Sequence, residues 1–208
     1  MPEFDVLVVF FAASVALGLA PGPDNIFVIT QSALYGRLAG LVVTLGLCTG
    51  LLVHTTAVAF GIAAVFAASS MAFNAVKFLG AAYLMYLAWQ AFRAGTTSLS
   101  VKQSNNPSLA QLYFRGIVMN VTNPKVVIFF LAFLPQFADP SVGPLAPQLL
   151  IFGCVFICAT VLIFGSVAWG SGFLGKWLRA SPAIQMGLNR VAAVVFVGLA
   201  VRLVTAER

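Results

Sequence analysis

Two short stretches place proline beside groups able to hold charge. One is Ala-Pro-Gly-Pro-Asp-Asn at residues 20–25, the other Asn-Val-Thr-Asn-Pro-Lys at residues 120–125. Asp24 and Lys125 are the ionisable members, and Asn25, Asn120 and Asn123 add amides that donate and accept. A carboxylate can take an ammonium group or a proton, and a lysine ammonium can take a carboxylate. Such a pair suits a small zwitterion. Pro21, Gly22, Pro23 and Pro124 supply the setting. Proline lacks an N–H and clashes with the carbonyl one turn earlier, so each stretch interrupts a helix. A half-helix starting near Pro23 presents unpaired N–H groups and a positive dipole end, which favours an anion. Two plainer readings stand beside this one: Asp24 and Lys125 neutralise each other, or Asp24 caps the half-helix.

The elements carrying these stretches are strongly apolar. Hydrophobic residues make up 61% of the 208 residues and charged ones 8%, against about 45–50% and 25% in soluble domains. Such a chain cannot cover a water-soluble globule, and the lipid bilayer is its expected partner. The net charge of +6 is scattered between apolar runs and forms no basic tract, which argues against nucleic acid. With about 20 residues per span, six spans fit, at roughly 6–34, 38–66, 71–92, 112–134, 146–173 and 183–204. The small residues at 18–20 imitate a signal-peptide end. The start, however, carries Glu3 and Asp5 and no cation, so the first segment is expected to be retained.

With six spans, both termini lie on one side. The loops opposite carry Arg37, Arg93, Lys102, Arg115, Lys176 and Arg179, against Arg202 and Arg208 on the terminal side. Six cations against two put that loop side in the cytoplasm and both termini outside. Asp24 and Lys125 remain deep in spans, where each ionisable group costs about 2.5–3.5 kcal/mol on the insertion scale.

The chain is expected to be all-α: a polytopic membrane protein of six transmembrane helices, in one domain over 1–208. A polar loop, 95–108, separates halves of three spans, 1–94 and 109–208. Proline, asparagine and an ionisable residue interrupt the first helix of each half, and the third helix of each half opens near a cation, Lys77 or Arg190. Three spans per half invert one half relative to the other, so this is an inverted repeat with broken first and fourth helices. Interrupted spans at matching places mark the midplane binding site of secondary transporters.

Other polar residues have more than one reading. His54 could relay protons, since histidine titrates near physiological pH, or could serve as a hydrogen-bonded packing group. Lys77 and Arg190 could take part in coupling or gating, or could snorkel toward a span end. Gly36/Gly40 and Gly46/Gly50 are small pairs four apart that let helices approach. Cys48, Cys154 and Cys158 read as small apolar fillers. No enzymatic constellation appears: there is no HExxH, no phosphate-binding glycine loop and no set of metal ligands, and His54 is the single histidine. No cofactor is implied, and association into a homo-oligomer is left open.

The stretch at 20–25, the run YGRLAGLVVTLGLCTGLLVHTTAVAFGIAA through the second span and KFLGAAYLMYLAWQAFR in the third resemble the lysine-exporter (LysE) superfamily. So does FRGIVMNVTNPKVVIFFLAFLPQFADP in the fourth, and the closest branch is the homoserine/threonine exporter (RhtB) type. The resemblance runs from about residue 5 to 205. It implies a six-span carrier of the bacterial inner membrane that exports amino acids or close derivatives by proton antiport. It maps the paired motifs onto Pro21, Gly22, Pro23 and Asp24, and onto Asn123, Pro124 and Lys125. The lack of acidic excess in the core tilts the cargo toward neutral amino acids, homoserine/threonine-like or leucine-like. Competing readings are an exporter of metal ions or other small solutes, an intramembrane cysteine-based electron carrier, and a scaffold without transport.

Overall fold

The computed structural model describes residues 1–20, 22–62, 70–93, 107–170 and 182–205. Eight α-helices make up its framework, and there is no strand among the described residues: α1 Phe4–Leu19, α2 Pro23–Tyr35, α3 Arg37–Ala57, α4 Ser70–Arg93, α5 Leu109–Val121, α6 Pro124–Ile128, α7 Leu145–Trp169 and α8 Pro182–Thr205. Pro21, most of the loop 95–108, and the residues Lys102, Lys176, Trp177 and Arg179 lie outside the described residues.

The local sequence explains where each helix starts and stops. Gly36 links α2 to α3 with φ +84°, a left-handed conformation that glycine adopts without a Cβ penalty. The N-terminus of α5 carries a capping box: Ser108 Oγ accepts from Gln111 N at 3.2 Å, and Gln111 Oε1 accepts from Ser108 N at 3.0 Å. Ser108→Ala removes the first of these bonds and should cost about 1 kcal/mol, read as a small fall in the thermal unfolding midpoint.

The apolar helices make this a polytopic membrane protein. Arg37–Gly61 and Leu145–Trp169 are each long and apolar enough to cross a bilayer. Two bent pairs qualify when each is taken together: Phe4–Leu19 with Pro23–Tyr35, bent by 63°, and Leu109–Val121 with Pro124–Phe137, bent by 50°. Helices α4 and α8 have 24 residues each, about 36 Å at 1.5 Å per residue. The expected second span ended at 66. The α-helix stops at Ala57 and continues as a π turn, Val58–Ile62. A second π turn, Phe129–Phe133, and a 3-10 turn, Leu134–Phe137, follow α6. No residue pattern announced either π turn.

Two apolar clusters flank the helix breaks. One gathers Leu17 and Ala20 with Phe10, Phe129, Phe133, Phe137 and Phe152. Its rings pack at centroid distances such as 4.9 Å for Phe10–Phe152 and 4.8 Å for Phe129–Phe133, within the favourable range for tilted pairs. The other joins Val28, Val43, Leu47, Leu112 and Phe164 across α2, α3, α5 and α7. The cysteine reading needs correction in part. Cys48 is buried, but Cys154 and Cys158 are exposed on α7, so they pack outward instead of filling the core.

Candidate functional site

The site grows out of hydrogen bonds that proline cannot make. In a continuous helix the Leu17 carbonyl would accept from residue 21, and the Asn120 carbonyl from residue 124. Both positions are proline, so both carbonyls are released at the end of a half-helix. Each is met by a side chain from elsewhere. Lys125 Nζ donates to Leu17 O and to Ala20 O, both at 3.1 Å. His54 Nε2 lies 3.3 Å from Asn120 O, which also accepts from Asn123 N at 3.1 Å. Asn25 Nδ2 donates to a third released carbonyl, Gly18 O, at 2.8 Å. The two breaks therefore meet, and Lys125 from α6 closes the C-terminal end of α1, where a cation also suits the helix dipole.

The half-helices after the breaks begin in different ways. Gly22 is the N-cap of α2 and no side chain caps it, so the capping role considered for Asp24 does not hold. Asp24 follows Pro23 inside the first turn. The N-cap of α6 is Asn123, whose Oδ1 accepts from Lys125 N at 3.0 Å, with Pro124 as the first helical residue. Asp24, Asn120, Asn123 and Lys125 are all buried, with Asp24 only 3% exposed. The Asp24 carboxyl lies near Asn123, Asn120 and Lys125. Even so, Asp24 Oδ1 makes no hydrogen bond, nor do Asn25 Oδ1, Asn120 Oδ1 and Asn123 Nδ2. Buried polar atoms are rarely left in this way. Four from one short list of residues, at one place, form a set of acceptors and a donor ready for a polar solute.

Two glycines make room for this arrangement. A Cβ on Gly22 would stand 3.0 Å from Lys125 Nζ, and one on Gly50 would stand 2.7 Å from Asn120 Cβ and Oδ1. Among known proteins, the LysE type translocator family matches residues 15–207. The chain belongs to this family. An uncharacterized membrane protein of Vibrio cholerae is 32% identical over 206 residues, 99% of each chain. The homoserine/homoserine lactone efflux protein of Salmonella typhimurium is 32% identical over 187 residues, 90% of each chain. No solved structure matches.

As a translocator, the protein needs a place where a solute can exchange water for protein groups, and it is a transporter, not an enzyme. The junction of the two breaks has the chemistry for that. Lys125 offers positive charge, Asp24 negative charge, and the asparagines neutral donors and acceptors. The other sequence-derived candidates lie apart or at the edge. His54 is half-buried, with its ring 5.6 Å from that of Phe130, and borders the site through Asn120. Lys77 is buried in the translocator, its ammonium 5.5 Å from the exposed Phe78 ring. Arg190 is exposed on α8. Sequence reasoning read Gly50 as a close-approach position, as Asn120 over it bears out, but missed the carbonyl partners of Lys125. The proline four residues after Leu17 was the signal for these partners.

Proposed function

We propose that this translocator is a six-span secondary exporter of neutral amino acids, homoserine/threonine-like or leucine-like, driven by proton entry across the bacterial inner membrane. The observation that carries the reading is the meeting of the two helix breaks. There a buried carboxylate and a buried ammonium converge with unpartnered amide atoms of Asn25, Asn120 and Asn123. In this reading the substrate carboxylate displaces the carbonyls of Leu17 and Ala20 from Lys125. The substrate ammonium goes to Asp24, and Asn123 Nδ2 and Asn120 Oδ1 complete the contacts. Asp24 can hold an ammonium group or a proton, never both at full strength. Competition between the two at one carboxylate couples outward amino acid to inward proton.

The paired carbonyl releases, Leu17 before Pro21 and Asn120 before Pro124, support an inverted repeat of three-helix halves. Termini outside follow from the cation distribution. Arg37 and Arg93, on the side assigned to the cytoplasm, stack on Trp169 and Trp89 at 4.9 and 4.3 Å, in keeping with interfacial anchoring. The cargo class agrees with the name of the Salmonella typhimurium relative, a homoserine/homoserine lactone efflux protein.

The deciding experiment is efflux of a panel of radiolabelled amino acids from proteoliposomes, with and without a proton gradient. Gradient-stimulated efflux of neutral amino acids is expected; efflux of none of the panel would sink the reading. Asp24→Asn keeps the shape and removes the charge, and should lower both gradient-driven efflux and gradient-free exchange by at least about tenfold. Undiminished exchange in that variant would take the ammonium contact away from Asp24.

A further inference from the structure

Helices α4 and α8 pack side by side, and a groove of about 360 Å³ runs between them. It is lined by Met85, Trp89 and Phe92 from α4 and by Ala193, Val194 and Val197 from α8. The lining is apolar and opens outward: Phe92 is 68% and Val194 72% exposed. In a membrane such a face meets acyl chains.

The helices run antiparallel. Gly80 on α4 meets Leu203 on α8, where a Cβ on the glycine would lie 3.1 Å from Leu203 Cδ2. Further along, residues 85–92 face 193–197, so positions rise on one helix as they fall on the other. Thirteen residues beyond Gly80 stands Arg93, and thirteen before Leu203 stands Arg190. The same register thus brings two exposed arginines level at one end of the groove. Arg93 is already oriented, its guanidinium 4.3 Å over the Trp89 ring that lines the groove. Arg190 sits one turn before Ala193 and Val194, on the face that lines it.

We propose that this groove binds an acidic phospholipid, one acyl chain along Trp89, Phe92 and Val194 and the phosphate between Arg93 and Arg190. A planar guanidinium offers paired donors that match phosphate oxygens, and basic pockets between transmembrane helices hold anionic headgroups. The apolar groove leading from the arginine pair selects a lipid over free phosphate. A second copy of the chain is disfavoured, because across a twofold axis the face would set four arginines near one another.

The test uses the full chain with Trp169→Phe and Trp177→Phe, which leaves Trp89 as the single tryptophan. In nanodiscs, brominated phosphatidylglycerol should quench Trp89 emission at about a tenfold lower mole fraction than brominated phosphatidylcholine. Arg93→Gln with Arg190→Gln should abolish that preference. Arg93→Lys with Arg190→Lys should keep only part of it, since the charge remains and the paired donors do not, and Arg115→Gln, which removes an exposed cation on α5, should keep all of it. Equal quenching by the two lipids in the intact chain, or a preference untouched by the double glutamine variant, would overturn the proposal. Efficient disulfide formation between copies through Val194→Cys would also overturn it and give the groove to a second chain. Millimolar inorganic phosphate should leave the preference intact; its loss would reassign the arginine pair to a soluble anion.

Discussion

Lys125→Met is expected to cut efflux from proteoliposomes by about a hundredfold while the protein still reaches the membrane. Methionine keeps the length and flexibility of the stem, so packing around Val126 and Phe129 changes little. What goes is the ammonium. Leu17 O and Ala20 O lose the donor that meets them at 3.1 Å, and Asp24 loses the cation beside it. Each buried carbonyl left without its donor costs about 1–3 kcal/mol, and the two together bracket the hundredfold loss. Arginine is no rescue. Its fork is bulkier than an ammonium, and Gly22 already approaches so closely that a Cβ there would be 3.0 Å from Nζ. Lys125→Arg should therefore lose at least about tenfold. A thermal-shift titration separates binding from folding: the unaltered chain should be stabilised by its amino-acid substrate and Lys125→Met should not. Normal efflux from Lys125→Met would remove the lysine from the substrate path.

Much of this site was legible from residue types because proline acts locally. Pro23 and Pro124 announce the starts of α2 and α6, and an acid or a lysine beside each marks a polar interruption in an apolar chain. The spatial pairing was less legible. That Lys125 reaches back to Leu17 and Ala20, more than a hundred residues earlier, depends on how the half-helices cross. That crossing rests on glycines whose role shows only once the partner is known. Gly50 reads in sequence as a close-approach position, but only the structure shows that the Asn120 side chain occupies the space above it. The π turn at Phe129–Phe133 was silent for a similar reason. Nothing in five apolar residues distinguishes a wide turn from a regular one, and packing against α4 and α7 decides it.

The two sides of the breaks are packed differently. On the α1 side of the breaks the filling is aromatic, with Phe10 wedged among Phe129, Phe137 and Phe152 at 5.9, 4.9 and 4.9 Å. On the α2 side the filling is mostly aliphatic, with Phe164 as its buried ring, and helices approach at glycine. Between α3 and α5 the closest approach is backbone against backbone, at Gly46 and Gly116.

That backbone contact gives the other large effect, at Gly116. A Cβ on Gly116 would stand 2.6 Å from Val43 O and 3.1 Å from Gly46 Cα, so α3 and α5 touch through their main chains. Neither obstacle is a side chain able to swing aside. Gly116→Val must push the helices apart, and overpacking of this kind costs about 1–3 kcal/mol, with more where backbone has to shift. The displacement also reaches the site, because α3 carries His54 and α5 ends at the Asn120 carbonyl, now 3.3 Å apart. Gly116→Val should therefore lower the thermal midpoint in detergent by several degrees and reduce efflux in the same preparation; Gly116→Ala should do both more mildly. Gly198 is the control. It lies within α8 with nothing within 4 Å of its added Cβ, so Gly198→Ala should leave efflux unchanged and hold or raise the midpoint, alanine being the better helix former. Equal midpoints for Gly116→Val and Gly198→Ala would mean that the close crossing of α3 and α5 is not what holds the two broken spans in register.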